Sequence, residues 1–125
     1  MRMKHEMRLK DDPFRKIWEG KKTIELRLYD EKRRCVQVGD TIAFTRMSGG
    51  KECITVCVAK LHVFDSFETL YKTLPLEKCG YDPDSIQSAG ASDMNAYYSP
   101  EEQEKYGVVG IEFAVIDKYL LSEYS

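Results

Sequence analysis

Metal ligands, cofactor motifs and long apolar runs are all scarce in this chain. It has two histidines, His5 and His62, far apart and without ligand spacing. Its four cysteines, Cys35, Cys53, Cys57 and Cys79, form no C-x-x-C pair. Neither a metal site nor a disulfide framework is expected from that set. Cys53 and Cys57 share parity in a β-like run and read as small core residues. His62, between Leu61 and Val63, reads as a packed or rim histidine. No G-x-S-x-G, Walker loop, G-x-G-x-x-G or H-E-x-x-H occurs, so nucleotide cofactors and the common hydrolase triads have no support, and no cofactor is expected. No apolar run approaches the roughly 20 residues that span a bilayer, so no membrane partner is expected. Met1-Arg2-Met3-Lys4-His5-Glu6 lacks the apolar stretch of a signal peptide, which makes the cytoplasm the expected compartment.

What remains is an ordinary globular composition. The 125 residues are 42% hydrophobic and 11% aromatic, enough for one domain over residues 1–125 with its own core. The net charge of −2 conceals an asymmetry. Residues 1–46 hold 13 Lys/Arg against 8 Asp/Glu, and residues 47–125 hold 6 against 13. A basic first third suits a phosphate-rich partner. The acidic remainder argues against a protein that coats DNA. No feature of the sequence sets an oligomeric state.

Alternation over His5–Lys10 predicts a short strand. Asp11-Asp12-Pro13 predicts a helix start with an acidic cap, carrying Phe14, Ile17 and Trp18 on one face and closing at Gly20. Thr23 to Tyr29 alternates strictly, with Ile24, Leu26 and Leu28 on one face and Thr23, Glu25 and Arg27 on the other. A charged turn at Asp30–Arg34 precedes Cys35, Val36 and Val38, expected to return to the core. Val38-Gly39-Asp40 launches a strand from Thr41 to Met47, and Ser48-Gly49-Gly50-Lys51 predicts a hairpin. Glu52 to Asp65 is apolar on both faces, as in a strand buried twice or bent around a barrel. Ser66 caps a helix bearing Phe67, Leu70, Tyr71 and Leu74, and a short helix is expected around Ser92–Tyr98. Ser99-Pro100-Glu101-Glu102 opens a last helix ending at Gly107. Val108 to Tyr119 closes the chain as a strand with Val109, Ile111, Phe113 and Val115 on one face. The expectation is an α+β fold: a compact β-barrel of five to six strands with flanking helices.

The functional signal is the cluster of charge at the start of the second strand. Glu25 and Arg27 are i, i+2 neighbours on one face, preceded by Lys21 and Lys22. In a cleft, Lys22 or Arg27 would hold a phosphate or carbonyl oxygen, and Glu25 would accept from a base edge or move a proton. On a solvated face the same residues would be a surface pair contributing about 0.5 kcal/mol. Tyr97, Tyr98, Tyr106 and Tyr29 read either as stacking platforms for bases or as packing with the hydroxyl at the surface. Arg33 and Arg34 read as a solvated turn or as a source of phosphate attraction at the cleft rim. Glu112 is either a buried partner for Arg27 or Lys22, or points outward.

Gly20, Lys22, Glu25 and Arg27 form a G-x-K-x-x-E-x-R pattern. Together with Val38-Gly39-Asp40-Thr41-Ile42-Ala43-Phe44 and Gly107-Val108-Val109-Gly110-Ile111-Glu112-Phe113, it resembles the ASCH (activating-signal-cointegrator homology) family over most of the chain. The resemblance implies a PUA-like barrel with a cleft bordered by helices and a role in binding RNA or a modified nucleoside. The ligand-binding residues would be drawn from Lys21, Lys22, Thr23, Glu25, Arg27, Arg33, Arg34 and Tyr98. It also implies an alternative, because known relatives include small enzymes that deacetylate N4-acetylcytidine with a lysine, a threonine and a glutamate. The lysine falls on Lys22, and the threonine's place is held by Glu25. A carboxylate cannot replace a hydroxyl as acyl acceptor by the same mechanism. A hydrolase of N4-acetylcytidine or RNA would then use Lys22 and Glu25 as its catalytic pair, with Glu101, Glu102 and Glu104 as candidates for the third member.

Overall fold

A computed structural model describes residues 2–121. β1 (Lys4–Leu9) runs into α1 (Asp11–Trp18), in which Phe14 and Ile17 are buried. Asp11 and Asp12 occupy the first turn, where the helix dipole favours them, and do not cap it; Lys10 holds the cap position without a side-chain bond. The helix ends in a Schellman turn. The Gly20 N–H donates to Ile17 at 3.1 Å and the Lys21 N–H to Lys16 at 2.8 Å, with Gly20 at φ +80°.

Next come β2 (Ile24–Leu28), the single turn α2 (Glu31–Arg34), β3 (Thr41–Arg46) and β4 (Glu52–Phe64). α3 (Phe67–Thr73) starts where the Ser66 hydroxyl accepts from the Thr69 N–H at 3.2 Å. Three 3₁₀ turns follow, at Leu76–Cys79, Ile86–Ser88 and Ala91–Ala96. The last of them stands where a helix around Ser92–Tyr98 was expected. α4 (Pro100–Tyr106) carries a capping box: Glu102 N–H donates to Ser99 Oγ at 3.1 Å, and Ser99 N–H donates to Glu102 Oε1 at 3.2 Å. β5 (Val108–Leu120) completes the fold.

The five strands form one sheet in the order β1-β3-β4-β5-β2, with β1 parallel to β3 and every other pair antiparallel. The expected barrel is not closed. β1 spends its ladder on β3 and β2 spends its ladder on β5, so their remaining edges have no backbone pairing with each other among the described residues. Register shifts at Thr55/Val56 and Val58/Lys60 mark bulges in the long β4–β5 ladder, the usual device for bending a strand. The seam between the β1 and β2 edges is crossed by the Arg27 side chain, which reaches the Arg8 carbonyl.

Two apolar clusters result. The larger packs α1 against β1, β3, β4 and β5, around Phe14, Ile42, Phe44 and Ile111. The smaller lies under α3 and the 3₁₀ turns, around Ile24, Phe67, Leu70 and Met94. Several expectations about burial differ, and Cys57, expected in the core, is only half-buried. Val38 and Cys35 are exposed, because only Val36 of that turn reaches the core. Val115 is 40% exposed: β2 ends its pairing at Glu112, and the β4 register slips beside Val115.

Candidate functional site

The Schellman turn that ends α1 delivers Lys22 to the mouth of β2, and its N–H is held by the Lys16 carbonyl at 3.1 Å. The neighbouring Thr23 N–H bonds the Lys78 carbonyl at 2.9 Å, anchoring this entry to the first 3₁₀ turn. From there the strand alternation sends Glu25 and Arg27 to one face. That face is covered, not solvated. Lys22 is 8% exposed, Glu25 5%, and the Arg27 side chain 14%.

The three groups form one ionic unit. Lys22 Nζ lies 2.8 Å from Glu25 Oε1, and Arg27 Nε donates to Glu25 Oε2 at 2.9 Å. Arg27 Nη2 then crosses the seam and donates to the Arg8 carbonyl at 3.0 Å. Burial pushes the Glu25 carboxyl upward, but Lys22 and Arg27 outweigh it and hold the group below its ordinary range. Arg27 is pushed down by burial and up by Glu25, with a net rise. With both oxygens of Glu25 engaged, the unit carries a surplus positive charge.

This unit lines a cavity of about 510 Å³, together with Arg8 from β1, Lys10 at the α1 cap and the rings of Tyr71, Tyr81, Tyr97 and Tyr98. Tyr98 stacks on the buried Phe67 with ring centroids 6.3 Å apart, which fixes its plane, and burial raises its hydroxyl above the usual range. Lys10 Nζ stands 4.8 Å from the centre of the exposed Tyr97 ring. Tyr71 and Tyr81 hydroxyls are 2.6 Å apart, and Tyr81 donates to Asp93 Oδ2 at 2.7 Å. Lys16 Nζ donates to the Gly80 carbonyl at 2.6 Å, tying the loop over this wall to α1. Cys79, beside it, is an inert buried thiol whose pKa is pushed up to about 11 by desolvation.

On the far side of the seam lies a second hollow of about 600 Å³, sharing Arg8 and Arg27 with the first and adding Lys32 and Arg33. Arg33 Nη1 pairs with Asp30 at 3.0 Å, while its Nε is buried without a hydrogen-bond partner among the described residues. A buried guanidinium nitrogen left unpaired is uncommon and is readily satisfied by an anionic oxygen.

Of the residues singled out from sequence, Lys22, Glu25, Arg27 and Tyr98 come together in the cavity, and Arg33 lines the adjoining hollow. Lys21 is solvated, 3.8 Å from Glu19. Thr23 lies outside both hollows. Arg34 is turned away, donating to the carbonyls of Tyr29 and Tyr106 and lying 4.3 Å from the Tyr29 ring. Glu112 points outward and pairs with His62 at 2.9 Å. Glu101, Glu102 and Glu104 line neither hollow, and Glu102 is engaged at the helix cap. Arg8, Lys10, Tyr71, Tyr81 and Asp93 had no signal in sequence, since their neighbours in space are distant in the chain.

The mixed α+β fold, with one five-stranded open sheet and several helices, is consistent with an ASCH domain. Residues 7–117 match the ASCH domain family, and the chain belongs to that family, which is PUA-like and compatible with RNA binding. No curated protein matches the chain significantly. Among solved structures it is similar to the hypothetical protein PH0355, with 40% identity over 91% of this chain and 100% of that one and a TM-score of 0.76. It is likewise similar to protein PF0455 from Pyrococcus furiosus, with 36% identity over 92% and 99% and a TM-score of 0.70. An ASCH protein from Zymomonas mobilis shares the fold at 16% identity, covering 93% of this chain and 72% of that one, with a TM-score of 0.60. Among the described residues no helix is long and apolar enough to cross a membrane.

Proposed function

We propose that this chain, as one domain, binds RNA or a modified nucleoside in the seam between β1 and β2. The observation that carries the reading is the meeting of cations and aromatic rings on one cavity: Lys22, Arg27, Arg8 and Lys10 face Tyr71, Tyr97 and Tyr98. Rings supply sequence-tolerant stacking for an unstacked base, worth about 1–3 kcal/mol per base. Arginines supply donors for phosphate oxygens. The second hollow shares Arg8 and Arg27 with the first and adds Lys32 and Arg33 as further donors for phosphate oxygens. The four cysteines are free, in keeping with action in the reducing cytoplasm.

Hydrolysis has no favouring observation. Both oxygens of Glu25 are paired with cations that lower its pKa and so weaken it as a base, and Thr23 stands outside the cavity. Fluorescence anisotropy with a labelled single-stranded RNA octamer tests the proposal. Saturable binding that weakens with salt, and that falls at least about tenfold in Tyr98→Ala, is expected. Absence of binding to the octamer and to free nucleosides contradicts it. Release of acetate from N4-acetylcytidine at a rate abolished by Lys22→Met would favour the enzymatic reading instead.

A further inference from the structure

The hydroxyl chain on the cavity wall has a direction. Tyr81 O–H donates to Asp93 Oδ2 at 2.7 Å, and a phenol has a single hydrogen. The 2.6 Å bond between Tyr71 and Tyr81 therefore runs one way: Tyr71 donates and Tyr81 accepts. The Tyr71 hydrogen is spent on Tyr81, the Tyr81 hydrogen is spent on Asp93, and Asp93 as a carboxylate has none. All three side chains line the cavity. This wall thus offers a ligand the remaining lone pairs of Tyr71 and a carboxylate, and these side chains leave it no free donor. The hydroxyls are poor acids as well, because burial raises both, Tyr81 strongly so and Tyr71 less.

We infer, resting on the RNA or nucleoside reading above, that the Tyr71–Tyr81–Asp93 chain selects bases bearing an exocyclic amino group over uracil. An amino group projects beyond the ring and carries two hydrogens to match an acceptor wall. Uracil offers one N–H flanked by two carbonyl oxygens, whose lone pairs face the Tyr71 lone pairs and the Asp93 charge. A site whose polar groups are committed in this way rejects the mismatched analogue by leaving its own acceptors and the ligand's unpaired. The opposite requirement, for acceptor atoms on the ligand, is set by Lys22 and Arg27 in the same cavity.

The experiment compares labelled octamers of cytidine, adenosine and uridine by anisotropy at one salt concentration. The wild-type chain is expected to bind the cytidine and adenosine octamers about tenfold more tightly than the uridine octamer. Tyr71→Phe removes the acceptor, and its cytidine-to-uridine ratio is expected to fall below about threefold. Tyr81→Phe frees the Tyr71 hydrogen to donate, so uridine is expected to gain affinity while cytidine loses it, a response that mere loss of packing would not give. Equal binding of the three octamers by the wild type overturns the inference and leaves the RNA reading standing, as does a ratio unmoved by both variants. Failure to bind any octamer removes the inference together with the reading it rests on.

Discussion

Arg27 donates from Nη2 to the carbonyl oxygen of Arg8 at 3.0 Å, a bond between the two edge strands that the backbone ladder leaves unjoined. The same guanidinium holds Glu25 through Nε at 2.9 Å. One side chain thus braces the seam and neutralises part of the buried carboxylate. Lysine has the charge but not the fork. Arg27→Lys is expected to keep one of these bonds and lose the other, costing about 1–2 kcal/mol. Thermal unfolding checks this, and a midpoint equal to the wild type would show that the bridge is not stabilising.

Glu25 is the centre of the ionic unit, and its loss should cost more than the loss of either partner. Glu25→Gln leaves Lys22 and Arg27 as like charges in a buried site, an expected loss of about 3–5 kcal/mol. Lys22→Met leaves Glu25 still paired with Arg27 and is expected to cost less. Urea unfolding of both variants measures the order. A smaller effect for Glu25→Gln than for Lys22→Met would contradict the arrangement.

Acid sensitivity follows from two buried carboxylates. Asp40, 2% exposed, accepts from His5 Nε2 at 2.8 Å and from the N–H groups of Met3 and Gln37, both at 3.0 Å. These bonds, that from His5 foremost, lower its pKa from 3.8 to about 2, and Glu25 is also lowered from its ordinary 4.5. A carboxyl more acidic in the folded chain stabilises fully above its unfolded pKa and loses that contribution as pH falls through the folded value. Stability is therefore expected to decline from about pH 5 down to about pH 2. Asp40→Asn should flatten the lowest part of a plot of melting temperature against pH. An unchanged slope would contradict the assignment.

Gly80 couples the loop over the cavity to its ionic floor. It has φ +108°, and a Cβ there would stand 3.2 Å from Lys22 Cδ and 3.7 Å from its Nζ. Gly80→Ala combines backbone strain with a push on Lys22 and is expected to cost about 1–3 kcal/mol. It is also expected to weaken RNA binding beyond what stability alone explains, which anisotropy under conditions where the variant is fully folded will show. Unaltered stability and binding together would contradict both effects.

Local signals carried well where the physics is local. The ends of α1 follow from Pro13 and Gly20, and the start of α4 from the reciprocal bonds of Ser99 and Glu102. The two faces of β2 follow from strict alternation, and Ile24, Leu26 and Leu28 are buried as expected. What alternation cannot say is what lies opposite the second face. Lys22, Glu25 and Arg27 border a cavity because Tyr71 of α3 and residues 79–98, dozens of positions later, supply its other wall. Barrel closure is a property of the same kind. Counting strands gives their number, but whether the first and second meet depends on which edges the other strands have already taken. Tyr71, Tyr81 and Asp93 come from three separate segments, so no spacing marks them as a unit.

Whether the seam between β1 and β2 is the ligand surface is read residue by residue in a chemical-shift titration. With an unlabelled single-stranded RNA octamer added to isotope-labelled protein, the largest shifts are expected at Arg8, Arg27 Nε–H and the rings of Tyr71 and Tyr98. Shifts confined to the opposite faces of the sheet, or no shifts with saturating octamer, would contradict the account.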